Sequence, residues 1–372
     1  MIDEDYLLRY RRILSQAECL SLQPIQVNME RTELKELGEF GLIDHLRRNV
    51  KTSRSTTLKG IGDDAAVIDG GDSAILLTTD MLIEGIHFDL SYAPLKHLGY
   101  KAAIANFSDI YAMNGQVEQI TLNLGLSNRF SVEAVDELYS GVLLACEIYG
   151  VDLVGGDTVS SSGGLVISIT AVGRAEKDQV VYRDGASDKE LIVVTGDLGA
   201  AYMGLQVLER EKAVYKSNPE IQPDLEGNDY ILERQLKPEA RKDVVELLQK
   251  LGVQPTSMID VSDGLASEIL HLCKSSDLGC SIFGEKIPID PKVMTTAEDF
   301  NLDPTTCALN GGEDYELLFT IKQADYDKLK GNPNFTFIGH MSAGSAPMIV
   351  TEKGQALELT AQGWDAFLKK DS

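Results

Sequence analysis

Apolar residues along the 372-residue chain recur in two rhythms. Short runs rich in β-branched residues and bounded by Gly, Asp and Ser, AAVI (65–68), AILLTTD (74–80), ITLNLGL (120–126), VDLVGGD (151–157) and LVISITAVGRA (165–175), predict strands. Longer helical patterns near 96–113 and 131–149 lie between them. The polar, turn-rich stretch EKDQVVYRDGASDKE (176–190) reads as a linker, and LIVVTGDLG (191–199) opens a second set. That set predicts helices near 200–211, 237–251 and 264–276, and strands at 256–261, 280–283, 315–321 and 335–339. Residues 214–235, holding SNPEIQPDLEGND, read as an irregular insertion.

Ahead of these, ERTELKELGEFGLIDHLRR predicts an amphipathic helix with Thr32 as its N-cap and Leu34, Leu37, Leu42, Ile43 and Leu46 on its apolar side. Residues 1–28 have no clear β period and read as an appended arm or as an upstream start-codon assignment, with a second methionine at Met29. The expected fold class is α/β of the α+β type. An N-terminal domain spans 29–180 and a C-terminal one 181–372, each a mixed sheet flanked by helices, with a ligand site in the cleft between them.

Acidic residues recur at or just after the ends of the strand-like runs. GIGDDAAVID (60–69) is the densest case, and LLTTDM (76–81), NFSDIYAMN (106–114), LVGGDTVS (153–160), MIDVSDG (258–264) and LNGGEDYELLF (309–319) repeat the setting. One Gly-Asp pair is ordinary turn chemistry; six such places ask for a common cause. Several Asp on short loops beside Thr78, Thr79, Ser108 and Ser262 supply the oxygen donors a hard cation such as Mg²⁺ requires. Without a cation the cluster would repel itself; with one it becomes a phosphate-binding surface.

Composition narrows the partners. A formal net charge of −24 argues against nucleic acid or an anionic membrane. Five cysteines without a CxxC pair are the pattern of reduced cytosolic thiols, and no apolar run reaches the ~20 residues of a membrane span. A cytoplasmic protein is expected. There is no GxxxxGK[ST] loop, no GxGxxG opening a helix, no HRD or DFG, and no Ser/His/Asp set to nominate. Nucleotide chemistry on this chain would run on carboxylate-held Mg²⁺.

GEFGLI (38–43), GIGDDAAV (60–67), TTDMLIEGIHF (78–88), NFSDIYAMNG (106–115), GGDT (155–158), DVSDGL (260–265) and GGEDYELLF (311–319), in this order, resemble the thiamine-monophosphate kinase family, in the superfamily of aminoimidazole-ribonucleotide synthetase and selenophosphate synthetase. The resemblance covers roughly 30–368. It implies ATP- and Mg²⁺-dependent phosphorylation of thiamine monophosphate to thiamine diphosphate. It also implies a homodimer whose N-terminal ATP- and Mg²⁺-binding domains pair their sheets into a barrel. Carried over motif by motif, it implies Asp63, Thr78, Thr79, Asp80, Asp109, Asp157, Asp260 and Asp263 as Mg²⁺ ligands. Gly156, Asp157, Arg183 and Ser262 would meet the nucleotide, and His87, Glu313 and Trp364 the thiamine substrate. No covalent nucleophile or general base is expected. GGDT continues here as VSSS where the family commonly has an arginine.

Other functions fit less well. A ribonucleotide-acting synthetase of the same superfamily is the alternative. A selenophosphate synthetase would want a reactive Cys near GIGDD, where none stands. A cation buffer would carry D-x-D-x-D-G repeats, which the chain lacks.

Overall fold

A computed structural model describes residues 33–361. The described residues fall into two units, residues 33–46 in one and residues 47–361 in the other. The described part of the first is most of helix α1 (Leu34–Arg47), whose course breaks at Gly38, a left-handed position with φ 65°. The proposed cap Thr32, the arm 1–28 and Trp364 lie outside the described residues.

The larger unit holds both sheets. In the first, β1 (Thr57–Lys59), β2 (Ala66–Asp69), β3 (Ala74–Ile83), β6 (Val166–Ala175), β4 (Gln116–Leu126) and β5 (Asp152–Ser160) lie side by side in that order. All pairs are antiparallel except β4 with β5. Alternation sets the faces: Ala74, Leu76 and Thr78 of β3 are buried and Thr79 is exposed.

Helices α2 (Leu95–Ala112) and α3 (Val132–Tyr149) pack on each other beside this sheet. They cross closely, because a Cβ at Gly141 would stand 1.8 Å from the Lys96 carbonyl oxygen and one at Gly99 2.1 Å from that of Leu138. Ser131 caps α3, its hydroxyl accepting from the Ala134 amide at 3.3 Å. The inner helix α2 touches strands of both sheets, β3, β4 and β6 in one and β8 in the other. It is accordingly buried along most of its length, from Leu98 to Ala112.

The second sheet runs β13 (Ala356–Glu358), β12 (Met348–Val350), β9 (Gly279–Phe283), β11 (Phe335–Ser342), β7 (Leu191–Thr195), β10 (Leu317–Ile321) and β8 (Ser257–Asp260). Every residue of β8 and β10 is buried, as befits strands covered on both faces. Helices α4 (Ala200–Ser217), α5 (Asp229–Leu236), α6 (Lys242–Leu251), α7 (Leu265–Ser276), α8 (Pro291–Asp299), α9 (Pro304–Asn310) and the short α10 (Tyr326–Leu329) complete it.

The structure corrects two expectations. Residues 214–235 are not an irregular insertion throughout, since α4 runs on to Ser217 and α5 occupies 229–236. The helix expected from 237 starts at Lys242, because Pro238 disfavours helical backbone at Lys237, which sits at φ −139°, ψ 63°. Among the described residues no helix is long and apolar enough to cross a membrane.

Candidate active site

Four segments converge. The loop Gly60–Ala65 leads into β2, β3 brings Thr78 and Asp80, α2 brings Asn106, Ser108 and Asp109, and β8 ends on Asp260. Carboxylate oxygens of Asp64, Asp109 and Asp260 all lie within 4.8 Å of one another. Each carboxylate is held from behind. Thr78 Oγ1 donates to Asp109 Oδ2 at 2.6 Å, Ser108 Oγ to Asp260 Oδ2 at 2.5 Å, and Arg183 Nη2 to Asp64 Oδ1 at 2.6 Å. The second Asp64 oxygen is buried without a hydrogen-bond partner. Three carboxylates at this separation, one with an orphaned buried oxygen, fit a divalent cation with oxygen ligands.

Electrostatics point the same way. Burial raises Asp109 well above the usual carboxylate range, and the neighbouring Asp80, Asp260 and Asp64 add to it. Asp260 rises through burial and then through Asp64, and Asp80 through burial. Behind the cluster, the buried Glu268 of α7 accepts the Asp263 amide at 3.0 Å, which fixes the loop after β8. Asn106 accepts the Asp80 amide at 3.1 Å while its own amide donates to the Ala102 carbonyl.

Residues 62–175 match the family described as AIR synthase related protein, N-terminal domain. Thiamine-monophosphate kinase of Aquifex aeolicus (strain VF5) is 36% identical over 336 residues, 90% of this chain and 99% of that protein. The enzyme of the same name from Bacillus subtilis (strain 168) is 32% identical over 341 residues, 89% of this chain and 100% of its own. A solved structure of AaThiL complexed with AMPPCP and TMP superposes with a TM-score of 0.78 at 33% identity, covering 91% of this chain and all of that one. The chain belongs to the thiamine-monophosphate kinase family.

In this thiamine-monophosphate kinase family member the adjacent aspartates divide their work. Asp64 faces the cluster, whereas Asp63 Oδ1 accepts the Arg183 amide at 3.1 Å and Asp63 Oδ2 lies 3.3 Å from Lys59 Nζ. Burial, then Asp64, pushes Asp63 up to about 6, against the pull of Lys59 and Arg183. Asp63 therefore ties the loop to residue 183, and Asp64, absent from the expected ligand set, takes the cluster position.

The other expected positions are spread more widely. Thr79 points to the opposite face of β3 from Thr78, its hydroxyl donating to the Ile169 carbonyl at 3.0 Å and accepting from Thr170. Asp157 and Gly156 sit on the exposed edge strand β5, three strands from β3, on the order of 14 Å at ordinary strand spacing. There the Thr158 amide donates to Asp157 Oδ1 at 2.8 Å. A Cβ at Gly156 would lie 1.8 Å from the Leu122 carbonyl oxygen, so glycine lets β5 close on β4. Asp263 and Ser262 occupy the loop between β8 and α7, and the Ser262 carbonyl accepts the Glu313 amide at 2.7 Å.

His87 is exposed on the loop after β3. Its Nδ1 accepts the Ile83 amide at 3.0 Å, which leaves Nε2 as the donor. Glu313 and Tyr315 hold left-handed backbone, φ 59° and 52°. Beneath that turn the buried Glu316 accepts from Thr195 Oγ1 at 2.5 Å and from Arg234 at 3.0 Å, and pairs with Arg241. Asp314 accepts the Gly199 amide at 2.8 Å. Sequence reasoning missed Asn106 and Glu268. Asn106 precedes Asp109 by one helical turn, which was the available signal.

Proposed function

We propose that the chain transfers the γ-phosphoryl group of ATP directly to the phosphate of thiamine monophosphate, giving thiamine diphosphate and ADP. The observation that carries the reading is the Asp64–Asp109–Asp260 cluster with its orphaned Asp64 oxygen, in a chain related over nearly its full length to enzymes of that name. The acceptor is a phosphate monoester whose second pKa is about 6, so near neutral pH its oxygen is already largely ionised and no side chain need abstract a proton. The obstacle is repulsion between two anionic groups. Asp64, Asp109 and Asp260, with Asp80 beside them, would hold Mg²⁺, which neutralises phosphate charge and brings donor and acceptor into line. Arg183, half-buried and with its Nε buried and unpartnered, adds a fixed positive charge on the nucleotide side. His87 Nε2 and Glu313 supply polar contacts for the thiamine moiety.

The test is an ADP-release assay with thiamine monophosphate, unphosphorylated thiamine and a ribonucleotide offered separately with Mg²⁺–ATP. ADP should appear with thiamine monophosphate alone. Turnover with the ribonucleotide and none with thiamine monophosphate would move the chain to a synthetase of the wider superfamily.

A homodimer joined through the six-stranded sheet is part of the same reading. β5 is exposed along nearly its whole length, with Val154 61% and Val159 57% accessible, and Leu143 and Ile148 of α3 are also exposed. An open edge carrying apolar residues is a pairing surface. Light scattering should give twice the mass of the chain, and Val154→Lys with Val159→Lys should halve it; a wild-type monomer would rule the dimer out.

A further inference from the structure

Lys101 is a buried cation that the cation site does not use. It lies on α2 eight residues before Asp109, two turns along the helix. An ammonium withdrawn from water needs strong partners. Lys101 Nζ has Glu313 Oε2 at 2.9 Å and the Gln235 carbonyl oxygen at 3.0 Å. The Gln235 side-chain amide donates to the same Glu313 oxygen at 3.1 Å. Glu313 Oε2 is therefore gripped from two directions.

The rest of Glu313 is equally constrained. Its backbone sits in the left-handed region at φ 59°, and its amide donates to the Ser262 carbonyl. Its side chain nonetheless stays 33% exposed. With Oε2 gripped, Oε1 is the oxygen with capacity for a ligand. Lys101 belongs to the helix that carries Asp109, and Glu313 to the turn that leads into β10. The ion pair thus ties the helix that carries Asp109 to the turn that carries Glu313.

We propose that Lys101 is a positioning residue for the organic half of the substrate. It holds Glu313 so that Oε1 faces the thiazolium cation and aminopyrimidine of thiamine monophosphate. The proposal rests on the reading that Glu313 meets that substrate. An unheld glutamate would sample several rotamers, and the cost of ordering it would fall on substrate binding. Lys101 therefore acts on KM for thiamine monophosphate and leaves the nucleotide side alone.

A double-mutant cycle with Lys101→Met and Glu313→Gln tests this, with steady-state constants measured for both substrates. Lys101→Met should raise KM for thiamine monophosphate about tenfold while KM for ATP stays within about twofold. Glu313→Gln should do the same, and the double variant should be no more than about twofold worse than either single one, since the two residues act as one unit. Lys101→Arg should restore most of the loss. Gln235→Leu, which removes the second grip but keeps the backbone acceptor, should shift the same constant in the same direction by less.

Equal increases in both KM values, a fall in kcat alone, or losses that multiply in the double variant would overturn the assignment to Lys101. A Glu313→Gln variant with unchanged KM for thiamine monophosphate would remove the reading of Glu313 and the proposal with it. If Lys101→Met fails to fold, an unchanged KM for thiamine monophosphate in Gln235→Leu overturns the proposal.

Discussion

Ser108 Oγ donates to Asp260 Oδ2 at 2.5 Å, joining a helix packed on the six-stranded sheet to a strand end of the seven-stranded one. The two residues are 152 positions apart. This bond aims one carboxylate of the cluster while Asp109, next to Ser108, supplies another. Ser108→Ala should leave Asp260 less well oriented. A hydrogen bond to a charged group contributes roughly 1.5–3 kcal/mol, so the Mg²⁺ concentration for half-maximal rate should rise by at least about tenfold. An unchanged Mg²⁺ titration would mean that Asp260 needs no such orientation.

The adjacent aspartates separate a cluster role from a loop role. Asp64→Asn should lower kcat by about 10²-fold, by analogy with loss of one preorganised charge-stabilising contact, and raise the Mg²⁺ requirement. Asp63→Asn keeps an oxygen to accept the Arg183 amide and should cost less than about tenfold. The reverse ranking in a Mg²⁺ titration would return the cluster position to Asp63.

Acidity and cation binding are linked. Burial raises Asp63 to about 6 from an ordinary value of 3.8 and raises Asp80, Asp109 and Asp260 as well. Carboxylates raised in the folded state bind more protons there than when unfolded. The stability they give is complete below their unfolded value and is lost as pH rises through their folded values. Cation-free protein should therefore lose thermal stability between about pH 4 and about pH 7 from these groups. Mg²⁺ binds the deprotonated form, so the rise in Tm on adding it should be larger near pH 8 than near pH 5. Scanning calorimetry showing equal Mg²⁺ shifts at both would contradict the site.

Glu316 is 1% exposed and faces both Arg234 and Arg241. Glu316→Gln keeps the shape and an acceptor for Thr195 but leaves two half-buried guanidinium groups short of a counter-charge. Removing one partner of a buried pair costs about 3–5 kcal/mol, so the urea midpoint should fall sharply. A loss below about 1 kcal/mol would show that Asp243 and Asp314 compensate.

The long elements were legible because their periods are clean. β3, β4 and β6 and helices α2 and α3 fall within a few residues of the positions their apolar patterns predict. Helix α5 was hidden by the Pro- and Gly-containing stretch before it and by its eight-residue length, and the three-residue strands β12 and β13 are too short to show a period. In the site, the family resemblance named Asp63 from the adjacent pair, whereas it is the Asp64 carboxylate that lies with Asp109 and Asp260. Which of two neighbouring carboxylates turns inward depends on the amide of residue 183, 120 positions away. Lys101 and Glu268 were invisible for a related reason. A charged residue in a helical pattern reads as solvated until the opposing element is known.

Strand β3 carries Thr78 and Thr79 on opposite faces, and that alternation limits how the chain tolerates altered length. The turn at 70–73 joins β2 to β3 ahead of the ligand-bearing end, where added residues lengthen a loop and leave the pairing with β6 in place. A single residue inserted between Leu76 and Thr78 would shift all that follows by one step, exchange the faces of the two threonines, and turn Asp80 away from Asn106 and Asp109. Identical composition would then remain with the cluster dismantled, so insertions at the two places, a few residues apart, should have opposite fates in any library of length variants.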